Sequence, residues 1–301
     1  MIHFDHVCMA APNVYESTFR LSKETGLGNY DGGFFPLYGI GHRVVPLAPD
    51  IYIEVESVID RRPLAHGEPL TVFMERQTRE GDCFLGWCLR SDTLEELEAF
   101  AAHHGTTIDP NTTGHEAGRQ MMNGARGFAL QAPSATVAWP IGKPNLYFKP
   151  GGGTHVASLP VVPGSGEVQG QGLAWIEIGG THSDLKGWLG DVASPSDFPF
   201  EIRYNGGSSG LYAMGVQTDR GVVQIRRPPV CFSQPKYAAP QATARSSDGL
   251  FRTSGFHFLP RFSNHGRMAA FSHCFSVGNM IALRPHRSIN SSTIGPRFCR
   301  K

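Results

Sequence analysis

The sequence predicts an α+β fold in which repeated βαβββ modules close into a cupped mixed β-sheet. Three segments share one order of events: a strand, a helix N-cap, a short helix, a glycine stop and further strands. The strand runs alternate with period two, whereas the helical runs carry caps and stop signals at the expected places. A single module of this kind leaves one open sheet face, so modules must pair to bury it, and the concave face of the pair becomes a site.

The first segment opens on FDHVCMA, where strict alternation places Phe4, His6 and Cys8 on one face and His3, Asp5 and Val7 on the other. Asn13 then caps the helix VYESTFRLSKET, with Glu16 three residues on, and Gly26 ends it. GGFFPLYGIGHRVVPL and IYIEVESV follow as strands, the latter with Tyr52, Glu54 and Glu56 on one face. In the second segment GWCLRS leads to a cap at Asp92, the helix TLEELEAFAAHH and Gly105. HGTTIDPNTTGHEAGRQ reads as a long loop, and SATVAW as a strand ending in Trp139. The third segment has LAWIEIGG, a cap at Ser183, the helix DLKGWLG, and the strand runs FPFEIRYN, GLYAMGVQT and GVVQIRR. These readings set modules at about 1–60, 82–150 and 171–227.

From Pro228 onward the chain changes character, with ten Lys/Arg and one acid, Asp248. The periodicities fade there, which predicts a basic, poorly ordered tail over 228–301. Its Lys/Arg residues are spaced rather than clustered, which argues against a nucleic-acid arm. Composition elsewhere is that of a globular protein, 40% hydrophobic and 18% charged. No apolar run is long enough to span a membrane and no secretory signal is evident, so a cytoplasmic location is expected. The six cysteines lack C-x-x-C spacing and are expected to be reduced thiols.

FDHVCMAAPN, GGFFPLYGIGHRVVPL and IYIEVESV, taken in order with GWCLRSDTLEEL and AWPIGKPNLYFKPGGGTHVAS, resemble the glyoxalase-like group of the vicinal oxygen chelate superfamily. The resemblance covers residues 1–227 and leaves the tail outside. The strand face alone leaves Glu54 and Glu56 both open as the carboxylate; the resemblance favours Glu54, and implies that His6 on the first strand and Glu54 on the fourth hold a divalent metal ion, zinc, iron(II), manganese or nickel, with His155 as the third donor. His42 is expected to act as acid–base or orienting group. The sequence departs from the group at Phe35, usually histidine, and at His42, usually asparagine.

Imidazole and carboxylate around an open coordination position suit a Lewis acid working on a carbonyl. The resemblance therefore implies a metal-dependent lyase or isomerase for a small or aromatic oxygenated substrate, with a homodimer compatible with it. Two alternatives use the same cup: an iron(II)-dependent dioxygenase built on His6, Glu54 and His155, and a metal-free small-molecule-binding protein whose cup is lined by Phe35, Trp87, Trp139 and Phe148.

Overall fold

A computed structural model describes residues 1–111, 129–150 and 155–230, all within one compact unit. The tail beyond Val230, residues 151–154, and residues 112–128, which include the second half of the expected long loop, lie outside the described residues. The elements in chain order are β1 (Ile2–Ala10), α1 (Val14–Thr25), β2 (Tyr30–Phe35), β3 (Ile40–Ala48), β4 (Ile51–Val58), α2 (Arg62–Ala65), α3 (Pro69–Gln77), β5 (Cys83–Ser91) and α4 (Leu94–His103). They continue with β6 (Asp109–Asn111), β7 (Ala129–Gln131), α5 (Ala135–Ala138), β8 (Asn145–Phe148), β9 (Gly170–Ile178), α6 (His182–Leu189), β10 (Glu201–Tyr204), β11 (Leu211–Thr218) and β12 (Gly221–Arg226).

The expected pairing of modules is the central architectural fact. Among the described residues one sheet runs β2-β3-β4-β1-β5-β8-β7-β6. In the first module β4 returns parallel to β1, and in the second β8 returns parallel to β5. The two first strands join the halves antiparallel to each other. Each connection begins with a helix: α1, capped by the Asn13 side chain and closed by Gly26 at φ 75°, and α4.

The α4 cap is Thr93 rather than Asp92. Its hydroxyl accepts from the Glu96 N–H, and Glu96 reaches back to complete a capping box. Asp92 instead lies against His3. The third helix starts two residues earlier than expected, on a Thr181–Asp184 capping box instead of at Ser183.

The third segment has a different topology. Its strand order is β10-β9-β11-β12, and the strand directly after α6 pairs parallel with β9. It is therefore a βαβ crossover extended by the β11–β12 hairpin, not a third βαβββ module. Its role is to cover the back of the eight-stranded sheet. Ile176, Ile178, Leu185, Met214 and Val216 share one core with Phe4, Val7, Trp87 and Leu89 of the large sheet and with Leu21, Leu97 and Phe100 of α1 and α4. Phe4 stacks on Trp87 at 5.8 Å and meets Phe200 edge-on at 5.3 Å.

The opposite, concave face carries a separate core of Cys8, Phe35, Ile40, Met74, Leu85, Cys88 and Trp139. Met74 comes from α3, an insertion between the modules whose first turn is capped by Glu68. Trp139 follows the short helix α5 in a 3₁₀ turn, so SATVAW is helical and not a strand. Gly86 makes this packing feasible, since a Cβ there would sit 2.3 Å from the indole of Trp139. The first residues of the expected tail also belong here: Phe84 N–H donates to Pro228 O at 3.0 Å, and Val230 is buried in the concave core.

Candidate functional site

The site begins with a break in the alternation of β1. Phe4 faces Leu89 and His6 faces Cys88 in register, so Asp5 is an extra residue with no counterpart on β5. This is a β-bulge, and it shifts the side-chain phase by one position. Phe4 therefore shares the back core with Val7 and Met9, while His6 and Cys8 face the concave cavity.

The bulge brings two adjacent residues together. Asp5, fully buried, accepts from His6 Nδ1 at 2.7 Å, from Arg90 at 2.8 Å and from His155 Nε2 at 3.0 Å. With Nδ1 committed to a carboxylate, the His6 lone pair lies at Nε2, the arrangement by which carboxylates orient metal-binding histidines. Nε2 lies 3.6 Å from Glu54 Oε2, and Glu54 Oε1 lies 3.1 Å from His42 Nε2. A buried line thus runs Asp5–His6–Glu54–His42. Tyr52 stacks on His6 at 4.6 Å, and Tyr147 places its hydroxyl 3.4 Å from Nδ1.

His6, Cys8, Glu54, Glu56 and Cys88 line a cavity of about 150 Å³. Its walls include Phe35, Tyr52, Trp139 and Tyr147, with Asn145, Gln131 and Lys149 as polar groups. His6, Cys8 and Cys88 each present a donor atom within 4.8 Å of the others, and so do Cys8, Glu54 and Glu56. Two neighbouring buried clusters that share Cys8, one of nitrogen and sulfur donors and one of sulfur and oxygen donors, offer the chemistry that suits a divalent transition metal. Glu56 is 5% exposed, because β4 is an interior strand between β3 and β1.

The electrostatics match this crowding. Burial pushes the Asp5 carboxyl up, but the charge of Lys149 and the hydrogen bonds from His155 and His6 hold it well below the usual carboxylate range. Burial opposes charge on His6, yet Cys88 and the Asp5 carboxylate raise it to about 10. Burial also pushes the Cys88 thiol up, while its hydrogen bond with Cys8 and the charge of His6 bring it down to about 7. Cys8 is pushed well above the ordinary thiol range, first by burial and then by its bond to Cys88 and the charge of Glu56. The cavity therefore stabilises positive charge at His6, a position where a proton and a metal ion exchange for one another.

Of the residues singled out in the sequence, His6, Glu54 and His42 come together. His155 does not join them. Its Nδ1 accepts from Ala157 N–H at 3.2 Å and its Nε2 bonds Asp5, so both ring nitrogens are committed. The two-histidine, one-carboxylate set that motivated the iron(II) dioxygenase alternative is not assembled. His42 is 2% exposed, stacked on Phe35 at 4.6 Å, and reaches the cavity through Glu54. Gly32 makes room for it, since a Cβ at that position would lie 2.1 Å from the imidazole. Of the expected aromatic lining, Phe35 and Trp139 are present, whereas Trp87 and Phe148 pack into the back core. Sequence reasoning missed Asp5 and Cys88 as members of the site, and it held Glu56 open as the alternative to Glu54. Cys88 was legible only through the β1–β5 register, which no local pattern encodes.

A cupped sheet of two paired βαβββ modules with a buried histidine–glutamate pair on its concave face defines a glyoxalase-like domain. A sequence model of the glyoxalase-like domain family matches residues 4–146. Among solved structures, a hypothetical protein from Staphylococcus aureus is similar at 11% identity over 69% of this chain and 88% of that one, with a TM-score of 0.48. The methylmalonyl-CoA epimerase of Mycobacterium tuberculosis is similar at 13% identity over 49% and 86%, with a TM-score of 0.34. A variant of the Streptomyces coelicolor methylmalonyl-CoA epimerase, in complex with 2-nitronate-propionyl-CoA, is similar at 10% identity over 50% and 95%, with a TM-score of 0.34. No curated protein matches the chain. Among the described residues no helix is long and apolar enough to cross a membrane.

Proposed function

We propose that the chain is a metal-dependent lyase or isomerase that moves a proton at a carbon beside a carbonyl of a small oxygenated substrate. The observation that carries this reading is the buried line Asp5–His6–Glu54–His42, with separations of 2.7, 3.6 and 3.1 Å, bordering the cavity. His6 Nε2 and Glu54 would hold the divalent ion. When bound, such an ion supplies Lewis acidity that lowers the cost of negative charge on a neighbouring substrate oxygen.

The chain's own groups supply the rest. Asp5 fixes the His6 tautomer and is itself fixed by Arg90 and His155. Glu56, two residues along the same strand face, takes the proton from carbon and returns it. His42 is a positioning residue that sets the Glu54 carboxylate and exchanges a proton with it. Tyr52, Phe35 and Trp139 exclude water and favour a substrate with an apolar or aromatic portion.

Incubation of the metal-loaded chain in deuterium oxide with a panel of 2-hydroxycarbonyl compounds and acyl thioesters tests the reaction class. Deuterium at the carbon beside the carbonyl, lost in Glu56→Gln, is the expected result. Ligands that raise the melting temperature without any exchange would instead identify a binding protein.

A further inference from the structure

We propose that Cys8 and Cys88 are metal donors together with His6, so that the site selects zinc, with Glu54 holding a fourth position that it exchanges with a substrate oxygen. This rests on the cation site at His6 and Glu54 and specifies its donors and its metal.

Cys8 and Cys88 come from neighbouring antiparallel strands, and Cys88 lies directly opposite His6 in register. Cys8 follows His6 by two, so the phase shift at Asp5 that turns His6 inward turns Cys8 inward as well. The donor atoms of His6, Cys8 and Cys88 all fall within 4.8 Å of one another, and Cys8 also belongs to the cluster with Glu54 and Glu56.

Core packing alone does not require this. Cys83, the other cysteine among the described residues, is equally buried in the concave core yet belongs to neither donor cluster. Thiolate donors favour zinc over magnesium or manganese, which prefer oxygen. Two cysteines and one histidine form a donor set known from catalytic zinc sites that keep a position open. Glu54 suits the exchangeable position because His42 offers its other oxygen a partner at 3.1 Å when substrate displaces it.

Cobalt(II) titration of the full chain under reducing, anaerobic conditions tests the proposal without recourse to activity. One equivalent should bind and give the near-ultraviolet thiolate-to-cobalt charge-transfer absorption. Cys8→Ser and Cys88→Ser should each weaken that band and lower zinc affinity on the order of a hundredfold, while Cys83→Ser leaves both unchanged. Zinc should displace the cobalt and excess magnesium should not.

Binding of cobalt that depends on His6 and Glu54 but shows no charge-transfer band would overturn the thiolate donors and leave the cation site standing. Failure of the wild-type chain to take up cobalt at all would overturn both. Should the serine variants misfold, X-ray absorption of the zinc-loaded wild type decides: sulfur neighbours at about 2.3 Å support the proposal, and a shell of nitrogen and oxygen alone contradicts it.

Discussion

Asp5 and His6 are neighbours in sequence whose side chains hydrogen-bond at 2.7 Å on the same side of one strand. A regular strand forbids this, because successive side chains point to opposite faces. The bulge at Asp5 permits it, and the same slip of one position lets Phe4 enter the back core while His6 enters the cavity. Fold and site are joined at that residue.

Asp5 is therefore expected to be the most sensitive position outside the metal donors. Asp5→Ala strands Arg90 and His155 without their carboxylate and should cost about 3–5 kcal/mol of stability. Asp5→Asn keeps the shape, and should weaken metal binding by about 10–100-fold through loss of His6 orientation. Urea unfolding and calorimetric metal titration check the two variants.

Gly32→Ala tests the seating of His42. The added methyl would sit 2.1 Å from the imidazole, forcing the ring away from Glu54 at a cost of about 1–3 kcal/mol. Proton-exchange activity should fall in parallel with that of His42→Ala, and a double variant should lose little more than either single one.

The helix caps set local stability. Thr93→Ala should destabilise the protein by about 1 kcal/mol through loss of the α4 cap, and Asn13→Ala by a similar amount at α1. Asp92→Ala should change stability by under about 0.5 kcal/mol, because its side chain pairs with His3 at the surface. Thermal unfolding of the three variants distinguishes these outcomes.

Phe4→Ala should cost about 3–5 kcal/mol, since Phe4 is 3% exposed and packs on Trp87 and Phe200 behind the sheet. Metal affinity of the folded fraction should be retained, because the lost contacts lie on the face away from the cavity.

The contrast between these positions explains what was legible beforehand. Helix α1 could be read to both ends because Asn13 and Gly26 are local signals, and the two paired modules followed from the repeated order of elements. At α4 two cap-competent residues, Asp92 and Thr93, stand side by side, and only the reach of Glu96 decides between them. The bulge was hidden because FDHVC alternates plausibly in either phase, and only the pairing with Cys88 fixes it. The third segment misled because its sequence order matches the modules while its pairing does not. His155 follows the glycine-rich sequence PGGGT, which suggested a donor, but the Asp5 carboxylate reaches it from across the fold.

Ligand linkage provides a further check of the metal reading. Zinc at about 100 times its dissociation constant should raise unfolding free energy by about 2.7 kcal/mol, and a chelator should remove that increment. His42→Ala should retain most of it, because His42 touches the donors only through Glu54.

The most direct test is the metal content of the purified full chain, prepared without a histidine tag, for wild type beside His6→Ala and Glu54→Ala. The account predicts one divalent ion per wild-type chain and its loss from His6→Ala, with binding weakened in Glu54→Ala. A wild-type chain that is empty and takes up neither zinc, iron(II), manganese nor nickel on incubation would contradict it.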